Sequence, residues 1–240
     1  MKHEEERERL QDLPVYAAAL ALCLFLFHLI VNQRYGFHGD ELYFIVCGNR
    51  LDWGYVDHPP FIALVARIAT DLMGTNLFAL RFFPALILGV NCLLTGWLAR
   101  RMGAGRSGEI LASLSFVCAP LMLRAGAFLN IPCAETFFWL VAAHLLVTIC
   151  RDEDPRWWPA VGVVLGLSLL NKHTTLFLCT GIAVGILTTR RRKDLATPWP
   201  WIAAVVSISL FMPNLLWQYQ HDWATFEFVR NLNTDLMQDT

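Results

Sequence analysis

Apolar residues fall in long runs along this chain. A membrane crossing needs about 20 mainly apolar residues, and six runs meet or approach that length: 14–32, 78–99, 108–127, 133–150, 157–189 and 200–217. The fifth is too long for one crossing and holds "NKHT", Asn171 to Thr174, near its middle. It therefore divides into two short helices, 157–171 and 173–189, and seven crossings result. The expected fold is all-α, a polytopic bundle of transmembrane helices forming a single domain.

Residues 59–75 carry a different pattern. Pro59 and Pro60 suit a helix start, where a missing N–H breaks no helical bond. After them Phe61, Leu64, Val65, Ile68 and Leu72 recur at helical spacing, with Arg67 and Asp71 on another side. The spacing predicts an amphipathic helix lying on the membrane surface within a long loop, 33–77. An eighth crossing here would invert everything after it. Loop charge favours seven: Arg100, Arg101 and Arg106, then Arg151 and Arg156, then Arg190 to Lys193 all fall on one side with the tail 1–13. Short cytoplasmic loops concentrate Lys and Arg, so that side is read as cytoplasmic. Loop 33–77, the turn 126–132, the "NKHT" break and residues after 217 then face outward.

Composition agrees with a membrane protein. Of 240 residues, 56% are hydrophobic and 16% charged, against about 25% charged in soluble domains. A net charge of −1 argues against a nucleic-acid partner, which needs a basic face. Seven cysteines without a C-x-x-C spacing read as small apolar residues and not as a zinc site or disulfide framework. Cys47 and Cys133 are the pair that would face an oxidising compartment. No cleavage site follows the mixed-charge start "MKHEEERERL", and the end at "LMQDT" reads either as the N-terminal part of something longer or as the outside tail of a seven-span protein.

The topology gathers the polar residues that need explaining on the outer side. Loop 33–77 carries His38, Asp40, Glu41, Asp57 and His58; the second crossing begins with Arg81; the third and fourth meet around Arg124, Asn130 and Glu135; the break supplies Asn171, Lys172 and His173; the last crossing emerges with Asn214, Trp217, Gln218 and His221. Ionisable groups at membrane depth are costly and mark function by default. A carboxylate at the water boundary can take a proton from a hydroxyl. Arg and Lys beside it can hold a phosphate. Joining a water-side nucleophile to a group carried on a lipid phosphate needs both, with fixed cations stabilising the departing phosphate.

Each residue also has a plainer reading. An Asp-Glu pair in a loop is usually solvated, Arg81 and Arg124 can snorkel to headgroups, and Lys172 can simply mark a turn. His144, Asn91 and Glu109 read as structural. His38, Asp40, Glu41 and His58 together leave a divalent metal open, with no other cofactor implied.

With these residues in view, "GDELYFIVCGNRLDWGYVDHPPFIALVARIATDLMGTNLFALRFFPALILG", "LNIPCAETFFW", "LLNKHTTLFL" and "PNLLWQYQHDW" resemble glycosyltransferase family 39 and related lipid-linked sugar transferases of the C-type fold. The resemblance covers roughly residues 15 to 235. It implies an inverting transfer of a sugar from a polyprenyl monophosphate to an outer-side hydroxyl of a lipid, glycan or protein. The membrane would be the bacterial inner membrane. The family's catalytic aspartate falls on Asp40, with Glu41 beside it and a second acid at Glu135, where relatives often carry Asp. Donor-phosphate ligands fall on Lys172 and Arg81, then Arg124 and His173; Tyr43, Tyr55, Asp57, His58 and Asn130 lie near substrate. The competing class is a multi-pass transporter or channel; a transporter would place ionisable groups at the midplane on broken helices.

Overall fold

The computed structural model of the protein describes residues 14–238; the expected tail 1–13 lies outside them. Among the described residues every regular element is helical. α1 (Val15–Val31) leads into a short 3-10 turn, followed by α2 (Gly39–Asn49), α3 (Phe61–Met73), α4 (Leu77–Arg101), α5 (Arg106–Cys118), α6 (Pro120–Ala125), α7 (Ile131–Asp152), α8 (Trp158–Leu169), α9 (Thr175–Thr188), α10 (Trp199–Gln220) and α11 (Ala224–Gln238). Four helical stretches among the described residues are long and apolar enough to cross a membrane: Val15–Arg34, Leu77–Arg101, Ile131–Asp152 and Trp199–Gln220.

The runs of the other three expected crossings hold shorter helices. The run 108–127 is not one helix. Pro120 opens α6, and Ala119 before it is extended, with φ −72° and ψ 115°. A residue preceding proline is pushed out of the α region by the ring, which the hydropathy of the run does not reveal. The run 157–189 breaks where the sequence indicates, and its two helices have 12 and 14 residues, roughly 18 and 21 Å at 1.5 Å per residue.

α4, with 25 residues and roughly 37 Å long, is the central post. It packs against α1, α3, α5 and α7. On α1 the buried residues Ala17, Ala21, Leu24 and His28 form one stripe, and Gly89 and Gly96 of α4 face it. A Cβ on Gly96 would lie 2.5 Å from Ala17 Cβ and 2.3 Å from Ser113 Oγ. Small residues let helices approach where apolar lipid gives no drive to associate. α8 and α10 meet the same way, with Gly162 against the Ala203 backbone.

α3 has three faces. Ile62, Ala63, Ala66 and Ala69 are buried, some of them against α2, where Gly48 lies close to the Ala63 carbonyl. Leu64, Ile68 and Leu72 are exposed, as an apolar stripe toward lipid requires. Arg67 and Asp71 pair at 2.6 Å on the third side. Of the bulky stripe read from the sequence, Leu64, Ile68 and Leu72 face outward, while Phe61 meets Phe138 and Val65 packs on the core with Ile62 and the alanines.

Side-chain bonds divide the bundle into two ends. At one, Arg101 bonds the His144 carbonyl and Thr148, Arg151 the Arg101 carbonyl, Arg191 the Cys150 carbonyl, and Lys193 pairs with Glu153. Near it Glu109, fully buried, accepts the Ala17 N–H at 2.8 Å. At the other end, Glu41, Leu129, Glu135, Lys172, Asn214 and Trp53 are linked by the bonds described below. Cys47 and Cys133 are both buried and unbridged.

The α8–α10 contact is testable. A Cβ at Gly162 would sit 2.3 Å from the Ala203 carbonyl oxygen, whereas Gly181 has open space around it. Gly162→Val should lower stability by about 1–3 kcal/mol, as overpacking does. Gly181→Val should change it by less than about 0.5 kcal/mol. Thermal unfolding of the purified protein in one detergent reads both.

Candidate active site at one end of the bundle

The Asp40–Glu41 pair opens α2. His38 is its N-cap and accepts the Asp40 N–H at Nδ1, 3.3 Å, while its own N–H donates to Glu41 Oε2 at 2.8 Å. Together these form a capping box. Adjacent helical positions point roughly 100° apart, so the two carboxylates face different surroundings. Glu41 is fully buried, and the Asp40 side chain is 60% exposed.

Glu41 is met by Arg81 at the start of α4 in a bidentate pair, Nε to Oε1 at 2.8 Å and Nη2 to Oε2 at 2.7 Å. The Leu129 N–H adds a contact to Oε1 at 3.3 Å. Arg81 also donates to the carbonyls of Asn32, of Tyr35 at 3.0 Å and of Gly36 at 2.6 Å. A guanidinium has five N–H groups, and each has a partner within the chain. The sequence reading sets Arg81 at a donor phosphate and Glu41 beside the catalytic acid; in this structure every Arg81 donor and both Glu41 oxygens are engaged within the chain. The pair is a clamp joining the end of α1, the N-terminus of α2, α4 and the turn before α7.

Arg124 takes the position on the rim that Arg81 does not. It is exposed at the end of α6, and its guanidinium lies 6.0 Å from the Phe128 ring centroid. Phe128 in turn stacks on His38, centroids 4.4 Å apart. Arg124, Phe128, His38 and Asp40 thus follow one another, with Arg124 near the Phe128 ring, Phe128 on His38, and His38 Nδ1 3.6 Å from Asp40 Oδ2. The sequence offered no sign of Phe128 beyond its place four residues after Arg124. Asn130, expected near substrate, is used instead as the N-cap of α7. Its Oδ1 accepts the Cys133 N–H at 3.2 Å, and its Nδ2 reaches the Ala125 and Phe128 carbonyls at 2.6 Å each.

A second polar group lies between α7 and the α8–α9 break. Glu135 accepts from Lys172 Nζ at 3.1 Å and from the Thr174 hydroxyl. Lys172 keeps 39% of its side chain exposed, and Glu135 keeps 16%. His173 Nε2 lies 3.2 Å from Asn214 Oδ1, and Asn214 Nδ2 donates to the Trp53 carbonyl at 2.7 Å. His173 is thus tied to α10 through Asn214. The break is pinned to the first loop by the Phe61 N–H on the Leu170 carbonyl, 3.0 Å. Asn171, fully buried, holds the Ile131 carbonyl at 3.3 Å.

The loop between α2 and α3 supplies the remaining candidates. Tyr43 donates to Asp57 at 2.6 Å, and the Tyr55 hydroxyl is shared between the Cys47 carbonyl at 2.9 Å and the Arg50 carbonyl at 3.1 Å. Burial, then the bond to Asp57, pushes the Tyr43 phenol well above its ordinary range, and burial raises Tyr55; both stay protonated. His58 is buried among the rings of Tyr43, Phe44 and Tyr55. Its Nδ1 donates to the Pro59 carbonyl at 2.8 Å, and burial pushes its pKa down, so the ring is neutral. With Glu41 bound to Arg81 and His58 enclosed by aromatics, His38, Asp40, Glu41 and His58 do not converge as a ligand set. No group of three or more metal-ligating side chains occurs among the described residues.

An apolar cleft of about 550 Å³ adjoins this end, lined by Leu51, Trp53, Pro60, Phe61, Leu64 and Leu170 among others. The whole is a polytopic helical membrane protein whose one end presents an exposed carboxylate, two accessible cations and an apolar cleft. Residues 57–217 match the family described as dolichyl-phosphate-mannose-protein mannosyltransferase, and the chain belongs to that family. It is 26% identical over 197 residues to the lipid A galacturonosyltransferase RgtD of Rhizobium johnstonii, covering 82% of this chain and 41% of the relative. It is 24% identical over 246 residues to the undecaprenyl phosphate-alpha-4-amino-4-deoxy-L-arabinose arabinosyl transferase of Erwinia tasmaniensis, covering 93% and 44%. Among solved structures, the S. cerevisiae protein O-mannosyltransferase Pmt1–Pmt2 complex bound to its sugar donor shares the fold. The TM-score is 0.58 at 17% identity, covering 87% of this chain and 34% of that one. The chain thus spans less than half the length of these relatives.

The clamp makes a quantitative prediction. Removing one partner of a buried ion pair leaves the other uncompensated, at about 3–5 kcal/mol. Glu41→Gln or Arg81→Met alone should cost that much in thermal or denaturant unfolding, and the double variant should cost clearly less than the sum. Asp40→Asn should fall within about 0.5 kcal/mol of the parent.

Proposed function

We propose that this chain carries the reaction centre of a membrane glycosyltransferase. The enzyme moves a sugar from a polyprenyl monophosphate to a hydroxyl at the extracytoplasmic face of a bacterial inner membrane. The observation that carries the reading is the division of labour at the α2 N-terminus: Glu41 is spent on Arg81, and Asp40 beside it is left exposed on a rim with Arg124 and Lys172.

In the reaction, Asp40 accepts the proton of the acceptor hydroxyl as its oxygen attacks the anomeric carbon. The bond from that carbon to the phosphate oxygen breaks on the opposite face, and the electron pair leaves with the phosphate. The anomeric configuration inverts. Arg124 and Lys172 stabilise the charge gathering on the leaving phosphate, so Lys172 exchanges its bond with Glu135 for one to the donor. Glu135 holds Lys172 in position until then. His173, bonded to Asn214, fixes the break that carries Lys172. Tyr43 and Asp57 border the acceptor side. The cleft between Trp53 and Leu170 suits the first isoprene units of the lipid, since its lining is apolar apart from Asp52.

The relatives' names support this donor class: one names an undecaprenyl-phosphate sugar as donor and another names lipid A as acceptor. A transporter reading draws on the break at 170–174 between two short helices. It leaves the exposed Asp40 without a task.

Asp40→Asn in the full-length protein should reduce sugar transfer by about 10²–10⁴-fold, the usual contribution of a general base. Arg124→Ala and Lys172→Ala should lower turnover. Transfer is read by mass spectrometry of the cell's lipids and glycoconjugates, with unfolding as the control for folding. Native-rate transfer by Asp40→Asn contradicts the assignment, and solute flux through proteoliposomes without transfer favours the transporter.

A further inference from the structure

The end of the bundle opposite Asp40 holds a second cleft, of about 960 Å³, between the α4–α5 connection and α7. Its lining includes Arg100, Arg101, Arg106 and Arg151, with Gly103, Ala104 and Gly105 between the helices and Leu146, Val147 and Cys150 along one wall. Among the described residues no acidic side chain lines it. Glu109, buried, pairs with Arg100 at 3.5 Å, and Glu153 pairs with Lys193 at 3.0 Å; Asp152, beside Arg151, is exposed.

The four guanidiniums are not equivalent. Arg101 is fixed by the His144 carbonyl at 3.0 Å and Thr148 at 2.7 Å, and it lies over the Trp97 ring. Arg151 gives one donor to the Arg101 carbonyl and is otherwise exposed. Arg106 is exposed and has no ion-pair partner among the described residues. Fixed and free cations therefore surround one open volume. Arg100 is balanced by Glu109, while Arg101, Arg106 and Arg151 have no ion-pair partner among the described residues, and three like charges in that space repel one another unless an anion lies among them.

We propose that this cleft binds the phosphate of an anionic phospholipid headgroup from the leaflet at that end of the bundle. The ligand must be amphipathic, because the basic rim continues into the apolar wall of Leu146 and Val147. Trp97 below Arg101 is partly exposed at the depth where indole rings sit at an interface. A basic pocket between transmembrane helices is suited to a lipid phosphate. Arg106 and Arg151 contact the phosphate oxygens, with bidentate geometry available to each. Arg101 holds the wall to which Arg151 is tied. The first N–H groups of α5, left uncapped by Gly105, add partial positive charge on the same side. The site shares no residue with the candidate active site, so it can succeed or fail independently of that reading.

The test uses the full chain in nanodiscs of phosphatidylcholine, with or without a fifth of phosphatidylglycerol or cardiolipin, followed by native mass spectrometry and thermal unfolding. The parent should retain an anionic lipid and unfold at higher temperature when it is present. Arg106→Gln with Arg151→Gln should bind it roughly 30-fold more weakly, equivalent to about 2 kcal/mol at about 1 kcal/mol per charge. Arg190→Gln with Arg192→Gln removes the same charge outside the cleft and should retain the lipid as the parent does. Equal retention by the cleft variant, or equal loss by the control, overturns the site. Inorganic phosphate at millimolar concentration should not reproduce the stabilisation; if it does, the ligand is free phosphate and the lipid assignment falls.

Discussion

A carboxylate with no exposure, inside a membrane protein, is the constraint around which this structure is organised. Glu41 cannot be left charged and unpaired in that setting, and it is not. Arg81 meets it edge to edge, the His38 and Leu129 N–H groups fill its remaining positions, and the rest of the Arg81 guanidinium gathers three carbonyls from residues 32–36. One ion pair thereby joins three stretches of chain that are distant in sequence: residues 32–41, Arg81 and Leu129. It also fixes the start of α2, and with it the direction in which Asp40 points. The exposed acid is placed by the buried one.

The two polar ends of the bundle use similar side chains for different ends. At the Asp40 end, acids and bases alternate and mostly satisfy one another, leaving a few groups accessible beside an apolar cleft. At the other end, arginines outnumber the acids around an open volume, and two carboxylates, Glu109 and Asp194, are turned inward to the protein. The long helix α4 connects the two, carrying Arg81 near its first turn and Arg100 and Arg101 in its last. Close glycine contacts hold α1, α4 and α5 together, and α8 to α10, where apolar packing against lipid has little to offer.

Much of this was legible in the sequence. Long apolar runs located the principal helices, and "NKHT" marked the break that carries Lys172, because polar residues in the middle of such a run have few other uses. Three features were not legible, each for a physical reason. The break at Ala119–Pro120 is a steric effect of one ring, invisible to hydropathy. The orientation of α3 depends on alanines, which score weakly beside leucine and isoleucine but permit close packing. The separate fates of Asp40 and Glu41, and of Arg81 and Arg124, depend on which of two like residues finds a buried partner across 40 positions of chain. No local pattern records that, and a resemblance that aligns both residues does not separate them.

The assignment of Arg81 to the clamp, leaving Arg124 and Lys172 for the donor, is most directly tested by an experimental structure of the full-length protein with a polyprenyl phosphate bound. The account predicts phosphate oxygens within hydrogen-bond distance of Arg124 and Lys172, with the Glu41–Arg81 pair intact and Asp40 facing the anomeric position. A phosphate held by Arg81, with Glu41 released from it, would contradict the account.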